Sequence, residues 1–423
     1  MIDVETLVIG AGVTGLAAGL HSGGVVLERA DGPGGICRSY YLRPGDTTLL
    51  DTQPGDGTAY RFEIGGGHWL FGGPPEVLKL LDAHADLRRY RRDATVRLEA
   101  SGQTVPYPIQ AHLDHLDDAT RSRITAELSS LPGTGREFES LHDWLIGSFG
   151  PTLADLFFLP FNDRYTAGLT RRVAPQDDYK TPRSGSPGYN VEFRYPVGGL
   201  DALCRHLGDA CDVRYGAEVV TIDASRRLVE LADGRSFHYR RLLSTLPLDR
   251  AAALAGIDVG LPDPYTSVLV LNLGGRRGPA CPRSHWQYET ASRSGFHRIG
   301  FYSNVDSDFL PADRRATHVS MYVERAYPGG CRPDEAEVQH YVDAVARELI
   351  DRGYLTTVDV AHPSWVEVAY TWRRAGSTWR DRALEALDDA GVTQIGRYGR
   401  WIFQGIADSI SEGLAAGAAA VQK

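Results

Sequence analysis

The sequence has very little lysine and no long apolar run. Only three of its 45 basic residues are lysine, and its 54 acidic residues give a formal net charge of −9. No basic stretch stands out that could follow a phosphate backbone, so we expect no nucleic-acid partner. No run of about 18 consecutive apolar residues occurs, which predicts no membrane-spanning helix.

Cysteine is also scarce, and its pattern excludes two kinds of site. The five cysteines are an odd number, are widely scattered and form no Cys-x-x-Cys pair: Cys37, Cys204, Cys211, Cys281 and Cys331. This pattern fits reduced thiols, with neither a disulfide framework nor a zinc site. The apolar N-terminus carries Asp3 and Glu5 where a signal peptide has basic residues. We therefore expect a cytoplasmic protein without a metal centre.

A glycine-rich turn lies close to the N-terminus. The apolar run 5–9 is typical of a buried strand, and Gly10-Ala-Gly12-Val13-Thr14-Gly15 follows it before a helix of small residues. Gly10 permits the tight turn, Gly12 lets backbone N–H groups approach a pyrophosphate, and Gly15 lets the helix pack against the strand. The positive end of the helix then faces the phosphates, which predicts a dinucleotide site.

A second strand, 25–28, ends in an acid. Glu28 is placed to accept hydrogen bonds from the ribose hydroxyls of adenosine, and Arg29 follows it. Gly34-Gly35 and then Arg38 and Ser39 come shortly after. This arrangement resembles the extended signature of the flavin amine-oxidase superfamily, in which such residues flank the FAD pyrophosphate. The resemblance implies FAD as the cofactor.

The rest of the chain predicts an α/β protein with α+β insertions. We expect a discontinuous Rossmann-like FAD-binding domain formed by residues 1–74, 192–257 and 388–423. Residues 75–191 are mainly helical by pattern, and residues 258–387 alternate like antiparallel strands that would form a substrate domain. In the superfamily Val219 would lie at the strand whose backbone meets the adenine.

The C-terminal segment resembles the part of these enzymes that closes the flavin site. It runs from Gly396 through Gly399 to Gln404, Asp408 and Ser409, where the last helix begins. In the superfamily such a helix N-terminus faces the flavin pyrimidine edge, where negative charge develops on reduction. Asp408 and Ser409 are also good helix-capping residues.

Three further segments resemble the UDP-galactopyranose mutases within this superfamily. Phe62 to Phe71, with Gly66, Gly67 and His68, looks like their glycine-histidine loop against the flavin. Residues 105–110 are similar to a Val-Pro-Tyr-Pro-Phe-Gln stretch, and residues 156–165 to a Leu-Phe-x-x-Pro-Tyr-Asn stretch. Residues 286–288 and 296–304 follow in the order of the substrate tyrosine and arginine motifs.

The resemblance implies a redox-neutral mutase that works through the N5 atom of reduced flavin on a nucleotide-linked sugar, and that needs a reductant for its flavin. His68 would support the reduced flavin, and Arg298 would contact the diphosphate. The other residues that we expect at the substrate are Tyr107, Gln110, Asn162, Tyr288, Arg373 and Phe403. Each residue also has a plain alternative, as a core aromatic, a turn residue or a surface ion pair.

Two positions depart from the mutase pattern. Where the mutases have a Gly-Tyr-Pro segment, this chain has Tyr370-Thr-Trp372-Arg373-Arg374, and Phe403 stands where they have a second tyrosine. Phenylalanine cannot donate to a phosphate oxygen. The second diphosphate arginine has only Arg183 as a candidate. The substrate is therefore expected to differ from UDP-galactose, with Arg373 or Arg374 replacing the tyrosines.

Two other functions stay open. One is an oxidoreductase of the amine-oxidase type, which passes hydride from a small metabolite to flavin and then to oxygen. It would use an aromatic pocket that could be built from these residues: Trp69, Trp286, Trp372, Trp379, Trp401 and Phe403. The other is a non-enzymatic flavoprotein subunit, which the complete set of flavin-facing segments disfavours.

Overall fold

The computed structural model of the protein describes residues 1–98, 101–131, 137–176 and 191–422. Its helices are α1 (Val13–Ser22), α2 (Pro75–His84), α3 (Asp118–Ser130), α4 (Leu141–Leu153), α5 (Leu159–Tyr165), α6 (Leu200–Asp209), α7 (Leu248–Leu254), α8 (Tyr302–Val305), α9 (Glu335–Asp351), α10 (Trp379–Asp389), α11 (Gly396–Gly399) and α12 (Ile406–Gln422). Its strands are β1 (Ile2–Ile9), β2 (Val25–Leu27), β3 (Ser39–Leu42), β4 (Tyr60–Glu63), β5 (Leu70–Phe71), β6 (Leu87–Arg91), β7 (Ala94–Arg97), β8 (Thr104–Pro106), β9 (Glu192–Pro196), β10 (Asp212–Arg214), β11 (Val219–Asp223), β12 (Leu228–Leu231), β13 (Ser236–Ser244), β14 (Tyr265–Arg277), β15 (Trp286–Glu289), β16 (Arg298–Gly300), β17 (His318–Pro328), β18 (Leu355–Thr371) and β19 (Val392–Gln394).

One sheet collects strands from three distant parts of the chain. Its order is β10-β2-β1-β13-β12-β11, with β19 also beside β13. Strands β10, β2, β1, β13 and β19 are parallel, whereas β11 and β12 form an antiparallel hairpin. Leu7, Val8 and Leu27 are fully or almost fully buried, as expected for central parallel strands covered on both faces. The sheet has the α/β character that the sequence predicts.

A second sheet has the order β18-β14-β17-β16-β15-β7-β8. Its long strands β14, β17 and β18 are antiparallel, and β14 lies between the other two. Helix α9 begins with a capping box at Asp334 and Glu337, and its apolar face packs against this sheet. The antiparallel substrate-side sheet that the sequence predicts is present. The domain boundaries themselves stay a prediction.

The region after residue 75 differs from its predicted, mainly helical character. Besides helices α2 to α5 it contributes β6, β7 and β8 to sheets that also contain strands from later in the chain. Strand β7 pairs in parallel with β15, and β6 pairs with β9. Because these partners lie far away in sequence, and β6 is rich in arginine, neither strand has a clear local signal.

Helices α4 and α5 form a bent, apolar wall. Gly150 has φ +76° inside α4, Pro151 follows it, and a π-helical turn spans 154–158 before α5. The stretch Leu141–Tyr165 is long and apolar enough to cross a membrane by length and composition alone. Half of its most apolar window is buried inside the protein, as in the core helix of a globular protein.

Close helix packing fixes the N-terminal turn. A Cβ atom on Gly15 would lie 1.8 Å from the carbonyl oxygen of Gly10, so only glycine allows α1 to lie so near the end of β1. A Cβ on Gly413 would lie 2.3 Å from the carbonyl oxygen of Thr14. Helix α12 therefore packs directly against α1, and both helix N-termini border the same cavity.

Candidate functional site

A cavity of about 440 Å³ runs from the glycine-rich turn to an aromatic chamber. Its volume falls within the range of small-molecule and cofactor sites. One end is lined by the residues around Gly12 and Glu28, and the other by helices α4 and α5. His68 and Arg397 lie on its walls. The cavity therefore joins the predicted dinucleotide site to the predicted substrate site.

The glycine-rich turn fits a pyrophosphate. Gly10, Gly12, Val13 and Thr14 line the cavity, and the first N–H groups of α1 have no acceptor within their own helix. A Cβ atom on Gly12 would meet no protein atom within 4 Å, so the backbone is open on this side. Gly35 lines the same end of the cavity. These donors and this open space suit the phosphates of a dinucleotide.

Glu28 is held rigidly at the adenosine end. Its Oε2 accepts a hydrogen bond from the Ala11 N–H at 2.8 Å, and its Oε1 accepts one from the Ala30 N–H at 2.9 Å. Both Glu28 and Arg29 line the cavity. Each carboxylate oxygen can accept a second hydrogen bond, as a ribose hydroxyl requires. Glu28 therefore fits the role that the sequence predicts.

Several predicted cofactor residues lie outside the lining of the cavity, among them Arg38, Ser39 and Val219. Arg38 donates from Nη1 to Asp31 at 2.8 Å, and Ser39 donates to Glu63 Oε2 at 2.9 Å. Val219 is buried at the start of β11. Both the Arg38 and the Ser39 side chain are bonded to carboxylates of the protein, and their contact with the cofactor stays a prediction. Gly15 also lies outside the lining and serves helix packing.

The glycine-histidine loop is built against Tyr322. A Cβ atom on Gly67 would lie 2.0 Å from the Tyr322 hydroxyl oxygen, and Gly66 has φ +78°. Gly67 and His68 line the cavity, whereas Gly66 lies behind it. His68 Nδ1 lies 3.3 Å from the Gly66 carbonyl oxygen. The loop can therefore present His68 to the cavity only because glycine occupies these positions.

His68 is neutral at physiological pH. Desolvation by the surrounding protein lowers the pKa of His68 to about 4. Glu324 opposes this shift, whereas Arg298 and Arg397 add to it. A neutral imidazole can donate or accept a hydrogen bond but adds no charge to the cavity.

Arg298 is already paired. Its Nε donates to Glu324 Oε2 at 3.0 Å, and its Nη2 donates to Glu324 Oε1. Although burial opposes ionisation of Glu324, Arg298 and His297 together lower the pKa of Glu324 to about 2. Arg298 lines the cavity, as the sequence predicts. Its positive charge is therefore balanced by Glu324, which lies directly behind the wall.

Arg397 has no carboxylate partner in the described part of the chain. Its guanidinium donates to the carbonyl oxygens of Gln404 and Ala369 at 3.0 and 2.9 Å. It also lies 4.4 Å from the ring centre of Phe403 and 5.3 Å from that of Tyr370. Arg397 lies within the C-terminal segment between Gly396 and Gly399 but was not among the residues predicted for the site.

The last helix supplies a second positive feature. Gln404, Gly405, Ile406 and Ser409 line the cavity at the N-terminus of α12. Asp408 lies outside the lining, where its carboxylate accepts from the Gly405 N–H at 3.2 Å. Its role is therefore that of a helix cap. Gly399 is buried in the short helix α11 and also lies outside the lining.

The far chamber is aromatic. The aromatic side chains that line the cavity are Trp69, Phe71, Tyr107, Trp144, Phe157, Phe158, Phe161, Tyr165, Tyr288, Tyr370, Trp372, Tyr398 and Phe403. Many pack on one another, for example Tyr107 and Tyr288 with ring centres 4.7 Å apart. Of the tryptophans suggested for an aromatic pocket, Trp69 and Trp372 lie here, whereas Trp286, Trp379 and Trp401 are core residues.

Four of the six predicted substrate residues line the cavity, namely Tyr107, Asn162, Tyr288 and Phe403. For the other two, Gln110 and Arg373, contact with a substrate stays a prediction. Gln110 is buried in a turn outside the lining. Arg373 donates from Nε to the Ser377 carbonyl oxygen at 3.0 Å and pairs with Asp381 at 3.5 Å.

Arg374, the other residue suggested in place of the missing tyrosines, lies outside the lining. Arg374 donates to the Pro262 carbonyl oxygen at 2.8 Å and pairs with Asp263. Arg183 lies outside the described residues. Several residues of the cavity wall were not predicted from the sequence, among them His297 and the aromatic residues 157, 158, 161 and 165. The spacing of these aromatics along one helix could have indicated a shared face.

A family comparison covers nearly the whole chain. The model of the flavin containing amine oxidoreductase family matches residues 24–421. The matched range begins after the glycine-rich turn and includes the cavity-lining residues from Glu28 onward.

Solved structures of related fold cover the chain as well. A reduced UDP-galactopyranose mutase is similar with a TM-score of 0.82 and 20% identity, over 99% of this chain and 93% of that one. A putrescine oxidase bound to putrescine has a TM-score of 0.60 and 15% identity, over 100% of both chains. A CLA-producing fatty acid isomerase from P. acnes has a TM-score of 0.61 and 15% identity, over 97% of both chains. These similarities establish a shared fold.

Proposed function

The chain belongs to the flavin containing amine oxidoreductase family, and from that premise we propose that it is an oxidoreductase for an apolar small molecule without a diphosphate. As a member of this family it is an FAD-dependent enzyme, as the sequence predicts. When bound, FAD supplies a two-electron acceptor that takes hydride from a carbon of the substrate. The aromatic chamber carries the proposal for the substrate class.

The charges of the cavity support this proposal. Among its described lining residues the charged side chains are Glu28, Arg29, Arg298 and Arg397. Glu28 and Arg29 lie at the adenosine end, and Glu324 balances Arg298. One uncompensated cation, Arg397, therefore remains near His68. A single positive charge suits one developing negative charge, whereas a diphosphate carries two and needs more donors.

The residues of the chamber would bind the substrate by burying it. Aromatic walls remove apolar surface from water and hold a flat or branched molecule without fixed charge. Asn162, whose Nδ2 donates to the Phe158 carbonyl oxygen at 2.8 Å, brings a polar group to this wall. His68 stays neutral, so it can orient a polar substrate group without attracting an anion.

A redox-neutral sugar mutase is the second candidate. One observation favours it: Arg298 and Arg397 both line the cavity, and both lower the pKa of His68 electrostatically. The structural similarity to the UDP-galactopyranose mutase is higher than that to the putrescine oxidase, which agrees with a mutase function but establishes only the fold. A nucleotide-linked sugar would need Arg298 to bind its diphosphate while still paired with Glu324.

Redox demand separates the two candidates. The FAD-loaded enzyme is mixed without oxygen with a panel of aromatic and aliphatic amines and alcohols, and the absorbance of oxidised flavin is followed. We expect an apolar panel member to bleach the flavin, and oxygen to be consumed in steady turnover once it is admitted. Conversion of UDP-galactose only after chemical reduction of the flavin, with no oxygen consumed, would establish the mutase instead.

A further inference from the structure

Three side chains with metal-binding groups meet at the surface, away from the cavity. They are His112, Asp114 and His115, in the segment that follows strand β8. Their ligand atoms, two imidazole nitrogens and a carboxylate oxygen, all lie within 4.8 Å of one another. His112 is half-buried, and the other two residues are exposed. None of the three lines the cavity.

The backbone brings these groups together through two consecutive 3₁₀ turns. The turns span Ile109–Ala111 and Leu113–His115, and the His115 N–H donates to the His112 carbonyl oxygen at 3.2 Å. In a 3₁₀ turn, side chains three residues apart lie above one another. The two imidazole rings accordingly have their centres 6.1 Å apart. The Gln103 side chain donates to the His115 carbonyl oxygen and holds the second turn in place.

The three side chains are not engaged elsewhere. Within the described part of the chain none of them makes a side-chain hydrogen bond or an ion pair, although they lie close together. Other histidines of the protein differ in this respect. His142 Nδ1 lies 3.1 Å from Asp143 Oδ1, and His238 Nδ1 lies 3.0 Å from Asp3 Oδ1. The cluster therefore has three ligands that need no internal bond to be broken.

We propose that His112, Asp114 and His115 bind one divalent transition-metal ion, Zn²⁺ first among them, in an open site completed by water. Two imidazole nitrogens and one carboxylate oxygen form a ligand set that suits Zn²⁺, Ni²⁺ and Cu²⁺. The set does not suit Mg²⁺ or Ca²⁺, which favour ligand shells made of oxygen. The absence of paired cysteines excludes a thiolate site but leaves this histidine-rich one open.

Zinc binding to the holoenzyme tests the proposal directly. Zinc chloride is titrated into the FAD-loaded protein near neutral pH in a calorimeter, with His115→Gln as the variant. We expect one equivalent of Zn²⁺ to bind and the variant to bind at least about tenfold more weakly, since a ligand is lost. His206→Gln is the matched control, because this exposed histidine lies 2.7 Å from the His84 carbonyl oxygen, outside the cluster. It should bind Zn²⁺ as the wild type does.

Two further readouts make the test decisive. Zinc should raise the melting temperature of the wild type but not that of the triple variant His112→Gln/Asp114→Asn/His115→Gln. Acidification should weaken binding, because the imidazoles must be neutral to bind metal. Circular dichroism and the absorbance of bound FAD show whether the triple variant is folded. No heat with the wild type, or equal binding by the folded triple variant, would overturn the proposal.

Discussion

Arg298 and Glu324 form a two-point ion pair across neighbouring strands β16 and β17. Arg298 Nε lies 3.0 Å from Glu324 Oε2, and the two residues are register partners in the sheet. The carboxylate is almost fully buried, while the arginine keeps some exposure toward the cavity. An arginine that sequence motifs associate with an anionic substrate is thus neutralised by its own protein.

Breaking this pair on one side should destabilise the fold. Glu324→Met leaves the Arg298 charge buried without a partner, which costs about 3 kcal/mol of unfolding free energy. The double variant Arg298→Met/Glu324→Met removes both charges and should recover most of this loss. Urea unfolding of the three proteins measures the difference. If the single and double variants were equally destabilised, packing rather than charge would explain the loss.

Glu63 should make stability fall as the pH rises. This residue is buried, and desolvation raises its pKa from 4.5 to about 7, although Arg61, Tyr195 and Ser39 lower it. The folded state therefore holds the proton more tightly than the unfolded state does. The stabilisation from protonated Glu63 is fully present below about pH 4.5 and is lost as the pH rises to about 7. The free energy of unfolding should fall by roughly 3 kcal/mol over this range.

The variant Glu63→Gln isolates this effect. In the wild type Ser39 and Tyr195 each donate to a different oxygen of the carboxylate. The amide oxygen of glutamine can accept from one of these hydroxyls, its NH2 group can donate to the other, and the amide does not titrate. Urea unfolding of both proteins is compared between about pH 5 and pH 8. The wild type should lose stability over this range relative to the variant. Parallel profiles for the two proteins would show that Glu63 ionises normally.

The cofactor end of the cavity could be predicted from the sequence because its determinants are local. Gly10, Gly12 and Glu28 lie within two short strands and one turn, so their spacing alone fixes their arrangement. The fold class is confirmed. FAD, which the resemblance to the flavin amine-oxidase superfamily implies, is confirmed as the cofactor. The cytoplasmic location stays a prediction.

The substrate end could not be predicted in the same way. Arg373 follows a strand that borders the cavity, yet its side chain turns to Asp381. The positive charge of Arg298 is balanced by Glu324, which lies 26 residues away in the sequence. Strand β7 pairs with a strand almost 200 residues later. Side-chain direction and partner strands are set by tertiary packing, which a single sequence does not display.

Gly12 and Gly15 should respond differently to an added methyl group. Gly12→Ala places Cβ in open space at a backbone conformation with φ −69°. The free energy of unfolding of the apoprotein should therefore stay within about 0.5 kcal/mol of the wild-type value. Its FAD affinity should fall about tenfold or more, because the methyl group occupies the phosphate side. Gly15→Ala collides with Gly10 and should cost about 1–3 kcal/mol of stability. Apoprotein melting and FAD titration separate the two; normal FAD affinity of Gly12→Ala would contradict the assignment.

Arg397 should set the reduction potential of the bound flavin. It lies on the cavity wall without a carboxylate partner among the described residues, and reduction of flavin adds negative charge to the site. Arg397→Met keeps the packing against Phe403 but removes the charge, so the reduced form loses stabilisation. A loss of about 1.4 kcal/mol corresponds to a potential about 30 mV lower for a two-electron couple.

Arg373→Met is the matched control, since its guanidinium lies outside the cavity against Ser377 and Asp381. Potentials measured by equilibration with a reference dye should fall for Arg397→Met alone; equal shifts in both variants would show that the effect comes from the overall charge of the protein.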